Sequence, residues 1–144
     1  MTIERNIFAT LITLLTMAFF TAASAAEKQL EYARAVPLVA TSRTTVGETI
    51  SYPRGTAKIT SAIVTLEPGE STGFHKHGVP AYGYILSGVV TVDYGTHGKR
   101  TYQAGTAFME AMEVWHDGTN DGPAPCRILV VFMGSDKSAN VIKQ

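Results

Sequence analysis

Thiol chemistry is almost absent from this chain, in which Cys126 is the only cysteine. No intrachain disulfide can form, so stability must come from the core itself. A reactive cysteine would need an exposed, low-pKa thiolate. Cys126 sits instead in DGPAPCR, between a Pro-rich turn and an apolar strand, and reads as a small, semi-buried structural residue. Neither sign of charge is in excess: 12 basic residues face 12 acidic ones, for a formal net charge of zero. Nucleic acids and anionic membranes are collected by basic surfaces, so this balance weakens both readings and neither is expected as a partner. The chain shows no sustained 3.6-residue apolar period, no internal repeat and no low-complexity tract. Paired carboxylates, a Ser/His/Asp order and a nucleophilic cysteine with a histidine partner are missing too. General acid–base and covalent catalysis therefore have no evident carriers.

What is present begins with the N-terminus. MTIERN carries Arg5, Ile7 to Phe20 is a charge-free apolar run, and TAASAA supplies small residues. This order of charged, apolar and small residues is that of a secretory signal peptide, with Ala23 and Ala25 fitting an A-x-A cleavage pattern and Ser24 and Ala26 the next register. The apolar run is shorter than the ~20 residues of a permanent span. The expectation is export to the periplasm or exterior, cleavage near Ala25–Ala26, and no stable membrane span afterwards. A retained N-terminal anchor is the alternative, because Glu4 weakens the positive end.

At 144 residues the chain fits one domain. Residues 1–26 are the signal peptide, 27–45 an N-terminal arm, 46–134 a β-domain and 135–144 a polar tail. Within the β-domain, runs such as ITSAIVTL, AYGYIL, VVTVDY, TAFMEA and RILVVFM alternate with Gly and Pro punctuation. Strands of that length and spacing predict an all-β sandwich or barrel. VVTVDYGTHGKRTY reads as a hairpin. His97 lies at its tip beside Lys99 and Arg100 and is read as solvated.

GFHKH, residues 73–77, raises the possibility of a metal. On a strand, residues i and i+2 share a face, so His75 and His77 project together and Lys76 points away. The run from Gly69 to Gly88 resembles the first motif of the cupin superfamily: Gly69, His75, His77 and Gly88 stand at its spacings. In GTAFMEAMEVWHDGTN, Gly105, His116 and Asn120 resemble the second motif. The resemblance implies a small antiparallel jelly-roll β-barrel and a metal set of His75, His77 and His116. It departs from the family at Ala81, where the first motif has its glutamate, and at Ala111 and Glu113, where the second has Pro and Gly.

Three imidazoles suit Fe, Mn, Ni, Cu or Zn and leave positions open for water or substrate. Without a carboxylate the site keeps a charge near +2, which favours an anionic small-molecule ligand. Glu110 and Glu113 are the only acids close before His116. Both are read as surface or outer residues, with Glu110 able to orient a ligand histidine through its second ring nitrogen. Ala81 and Gly83 are small, share a face and would leave room for a ligand. Trp115 either walls the pocket or faces outward, and Asn120 organises the loop after His116.

Three functions fit. One is an exported metal-dependent enzyme, dioxygenase-like, acting on a small chelating substrate. Another is a non-catalytic periplasmic protein that binds or senses a metal or small molecule. The third is a scaffold whose histidines are structural. The resemblance also implies a homodimer.

Overall fold

The computed structural model describes residues 34–144. The signal peptide and most of the arm expected over 27–45 lie outside the described residues. Val36–Gln144 forms one compact unit. Its strands are β1 (Ala57–Leu66), β2 (His75–Lys76), β3 (Ala81–Ser87), β4 (Val89–Asp93), β5 (Lys99–Gln103), β6 (Ala107–Met109), β7 (Asp117–Thr119), β8 (Cys126–Ser135) and β9 (Ile142–Lys143). A 3₁₀ turn, Gly95–His97, tips the β4–β5 hairpin, and His97 is exposed there.

The strands make a four-stranded sheet in the order β1-β8-β3-β6, a three-stranded sheet β5-β4-β7, and the short pair β2-β9. All pairings are antiparallel. The two larger sheets face each other as a small jelly-roll barrel. Period-two alternation sorts the side chains: Val90 and Val92 of β4 are buried, and Val64, Leu66, Ile128, Val130 and Phe132 point to the interior. Leu66, Ile85, Val90, Val92, Tyr94, Tyr102, Phe108, Ala111, Cys126 and Ile128 form one buried cluster. Cys126 is fully buried, and burial pushes its thiol pKa up, which leaves it chemically inert.

One glycine shows why its position admits nothing larger. Gly88 turns the chain between β3 and β4 at φ +77°, and a Cβ there would meet Cys126 Cα and Pro125 O, each at 2.7 Å.

The C-terminal segment corrects the expectation of a polar tail over 135–144. Ser135 completes β8, and the chain then folds back so that β9 pairs with β2, His75 opposite Lys143. Backbone pairing needs no apolar side chains, so composition hid it. The N-terminal segment is likewise fastened: Thr45 N–H donates to Met109 O at 2.8 Å, and Arg43 bridges Thr49.

Candidate metal centre

The three histidines meet because two of them are cross-strand partners. His75 N–H donates to His116 O at 3.0 Å, and His116 N–H to His75 O at 2.9 Å. Directly paired residues put their side chains on the same face, and His77, two residues on, joins them. Ring centroids lie 4.5 to 5.2 Å apart. One ring nitrogen from each falls within 4.8 Å of the others.

The other ring nitrogen is committed in every case. Nδ1 of His75 bonds to Gly73 O at 2.8 Å, that of His77 to Asn140 O at 2.9 Å, and that of His116 to Val114 O at 2.8 Å. A carbonyl only accepts, so each Nδ1 carries the proton and each Nε2 keeps its lone pair. Burial lowers the pKa of all three, that of His77 to about 4, so the rings are neutral at physiological pH. His116 is 1% exposed, and its Nε2 is a buried polar atom without a hydrogen-bond partner among the described residues. A stranded acceptor is costly in a protein interior. It converges with one ring nitrogen each of His75 and His77, a donor set that fits a divalent cation such as Fe, Mn, Ni, Cu or Zn.

The three histidines line a cavity of ≈ 260 Å³. Val64, Leu66, Val90, Val92, Phe108, Ile128, Val130 and Phe132 make most of the wall, with Thr72, Glu110 and Lys143 as its other polar side chains. Val141 and Lys143, contributed by the folded-back C-terminus, are exposed at the rim.

The remaining candidate residues fall at different places. Trp115 is not among the cavity-lining residues; Lys76 Nζ sits 5.6 Å from its ring centroid, on the face opposite the histidines. Gly83 lines the cavity, but the space beside it is taken by the Phe108 ring, 2.6 Å from where a Cβ would stand. Ala81 is fully buried and does not line the cavity. Glu113 pairs with Lys76 at the surface, at 2.7 Å. Glu110 does not orient a histidine through its second nitrogen, since Val114 O holds that position. Its Oε2 instead lies 3.9 Å from His116 Nε2, on the cavity side. Burial raises its pKa to about 6, although bonds from Tyr94 and the Ala111 N–H pull the other way. Asn120 is fully buried and ties its loop together, donating to Leu66 O and Ala124 O and accepting from Gly122 N–H.

Two supports had no sequence signal. Glu48 reaches from the N-terminal segment to accept the N–H groups of Met112 at 2.7 Å and Glu113 at 2.8 Å, bracing the bend that leads to His116. Asn140 holds His77 with a backbone carbonyl, which any residue type could supply.

Residues 62–132, which include all three histidines, match the family model for the cupin domain. No curated protein sequence matches the chain. Among solved structures it is similar to an oxalate oxidase, at 20% identity and TM-score 0.51, over 59% of this chain and 45% of that one. An oxalate oxidase in complex with the substrate analogue glycolate gives 20% and 0.51, over 58% and 45%. The oxalate decarboxylase of Lactobacillus farciminis, a formate complex, gives 27% and 0.50, over 59% and 26%. The chain thus spans less than half the length of each of these proteins. With the family match over both histidine motifs, the jelly-roll barrel and the convergent histidines all in agreement, residues 62–132 of this chain form a cupin domain.

Proposed function

We propose that this protein is a metal-dependent oxygenase for a small substrate with a chelating head and an apolar body. The observation that carries the reading is the convergence of three neutral histidines on the wall of a largely apolar cavity. When bound, a redox-active metal supplies electron transfer between a chelated substrate and O₂, with both oxygen atoms ending in the substrate and no outside reductant needed. The chain's own residues do the rest. Val90, Ile128 and Phe132 would hold the apolar body and exclude water, and Lys143 would neutralise an anionic group at the rim. Oxalate, the substrate named for the structural neighbours, fits this wall poorly, because a small dianion gains nothing from it and, among the described residues, Lys143 is the only cation lining it.

The test is oxygen uptake by iron- or copper-loaded mature protein across a panel of chelating phenols, enols and thiols, with oxalate alongside. Uptake with one class, lost in His77→Ala, is the expected outcome. Stoichiometric binding without turnover would replace this reading by that of a binding or sensing protein.

Export and dimerisation belong to the same proposal. Arg5, the apolar run and the A-x-A pattern support cleavage near Ala25–Ala26 and a periplasmic or secreted product, which N-terminal sequencing of the mature protein would check. The outer face of the four-stranded sheet exposes Ile59, Ile63 and Leu86, an apolar patch suited to a second copy.

A further inference from the structure

Ala81 occupies the position at which the first cupin motif carries its metal-binding glutamate, yet a carboxylate stands next door. Glu110 N–H donates to Ala81 O at 2.8 Å, continuing the ladder in which Tyr82 opposes Met109. Residues directly opposite on antiparallel strands share a face. Glu110 therefore presents its side chain beside the place a residue-81 glutamate would have used, displaced by one strand.

Its carboxylate is fixed in a particular way. Oε1 accepts the Tyr94 hydroxyl at 2.6 Å and the Ala111 N–H at 2.8 Å. Behind it, the Tyr102 hydroxyl lies 3.1 Å from that of Tyr94 and 2.7 Å from Thr45 Oγ1. Because Tyr94 donates to Glu110, the chain of hydroxyls runs donor to acceptor from Thr45 inward. Oε2 has no hydrogen bond among the described residues and faces His116 Nε2 across 3.9 Å. That separation is too long for a hydrogen bond. Since the His116 proton is on Nδ1, two lone-pair-bearing atoms confront each other, and the His116 nitrogen is fully buried. Such a pair is favourable only with positive charge or a donated proton between them. Two donors each about 2.1 Å from one ion lie roughly 3.0 to 4.2 Å apart, which brackets the observed gap.

We infer that Glu110 is the fourth protein donor to the metal, a carboxylate supplied from the end of β6 in place of the one missing at Ala81, with Tyr94 as its positioning residue. The inference rests on the metal site and is independent of the reaction. It halves the +2 charge expected of a site made of histidines alone.

The experiment compares cobalt(II) binding and the cobalt d–d spectrum in metal-free wild type, Glu110→Gln, Glu110→Asp and His77→Ala. Both Glu110 variants should bind cobalt about 10- to 100-fold more weakly, with an altered spectrum in whatever complex forms. Wild-type affinity and an unchanged spectrum in Glu110→Gln would overturn the inference while leaving the histidine site standing. No binding by wild type would overturn both. Should the variants fail to fold, the infrared difference spectrum of wild type on zinc addition keeps the test open. A shifted carboxylate stretch supports Glu110 as a donor, and a spectrum with imidazole changes alone overturns it.

Discussion

Replacing Gly83 with alanine tests how tightly the cavity wall is packed. Gly83 has an ordinary strand conformation, outside the positive-φ set, so alanine meets no backbone strain there. Taken alone, the exchange would stabilise by about 0.4–1 kcal/mol through the unfolded chain. The obstacle is Phe108, its partner across the β3–β6 ladder. A Cβ at Gly83 would lie 2.6, 2.8 and 3.1 Å from three atoms of that ring. Ordinary carbon contacts are about 3.5–4.0 Å, so the ring must move by roughly 1 Å. It cannot do so freely, since it stacks on Tyr102 at 3.9 Å and 12°, and the Tyr102 hydroxyl is anchored to Thr45 and Tyr94. Overpacking of this kind costs about 1–3 kcal/mol. The net expectation is a loss of roughly 1–2 kcal/mol, seen as a Tm lowered by about 5–15 °C in thermal unfolding of the metal-free protein. Adding Phe108→Leu should make the double variant lose less than the sum of the single losses, because the two residues share one contact. A Gly83→Ala protein as stable as wild type would refute the account of a pinned ring.

Asn120→Ala should cost roughly 2–4 kcal/mol in urea unfolding, since Leu66 O, Ala124 O and Gly122 N–H would be left without their buried partner. Glu48 is subject to burial, which raises its pKa, but the N–H groups of Met112 and Glu113 and the Thr44 hydroxyl outweigh that and hold it below the ordinary 4.5. A depressed carboxylate contributes its stability in full above its unfolded pKa and loses it as pH falls through the folded value. Glu48→Gln should therefore flatten the loss of Tm below about pH 4.5, and an unchanged acid limb would count against the clamp. Removing residues 139–144 takes away Asn140 O and β9, so metal should bind at least about 10-fold more weakly while the barrel's strand content, read by circular dichroism, persists.

The strands and the histidine pair were legible because both depend on period two: alternation marks β4 and β8, and the single intervening Lys76 sets His75 and His77 on one face. The partnership of His75 with His116 needed the second motif, because register between distant strands leaves no local trace. Residues 112–114 form a bend between β6 and β7, which makes counting back from His116 an insecure guide, yet Trp115 lies away from the histidines and Glu110 on their side, as alternation would place them. The folded-back C-terminus was illegible for another reason. Its contribution is a carbonyl at Asn140 and a two-residue ladder, and neither depends on side-chain type.

The departures from the family's second motif acquire a physical meaning once these supports are seen together. A Pro and a Gly would stiffen the bend before the third histidine through their own backbone preferences. This chain has Ala111 and Glu113 there, which impose no such restriction, and the bend is held from outside by the Glu48 carboxylate on two consecutive stretches of its backbone. His77 is likewise oriented from outside the matched domain, by Asn140, and Tyr94 reaches the surface through Tyr102 and Thr45. The histidine cluster is thus restrained by segments on either side of residues 62–132. A site held this way can be loosened by displacing Glu48 or Asn140 without touching a ligand histidine, so metal affinity should respond to changes at these two positions more strongly than the stability of the barrel does.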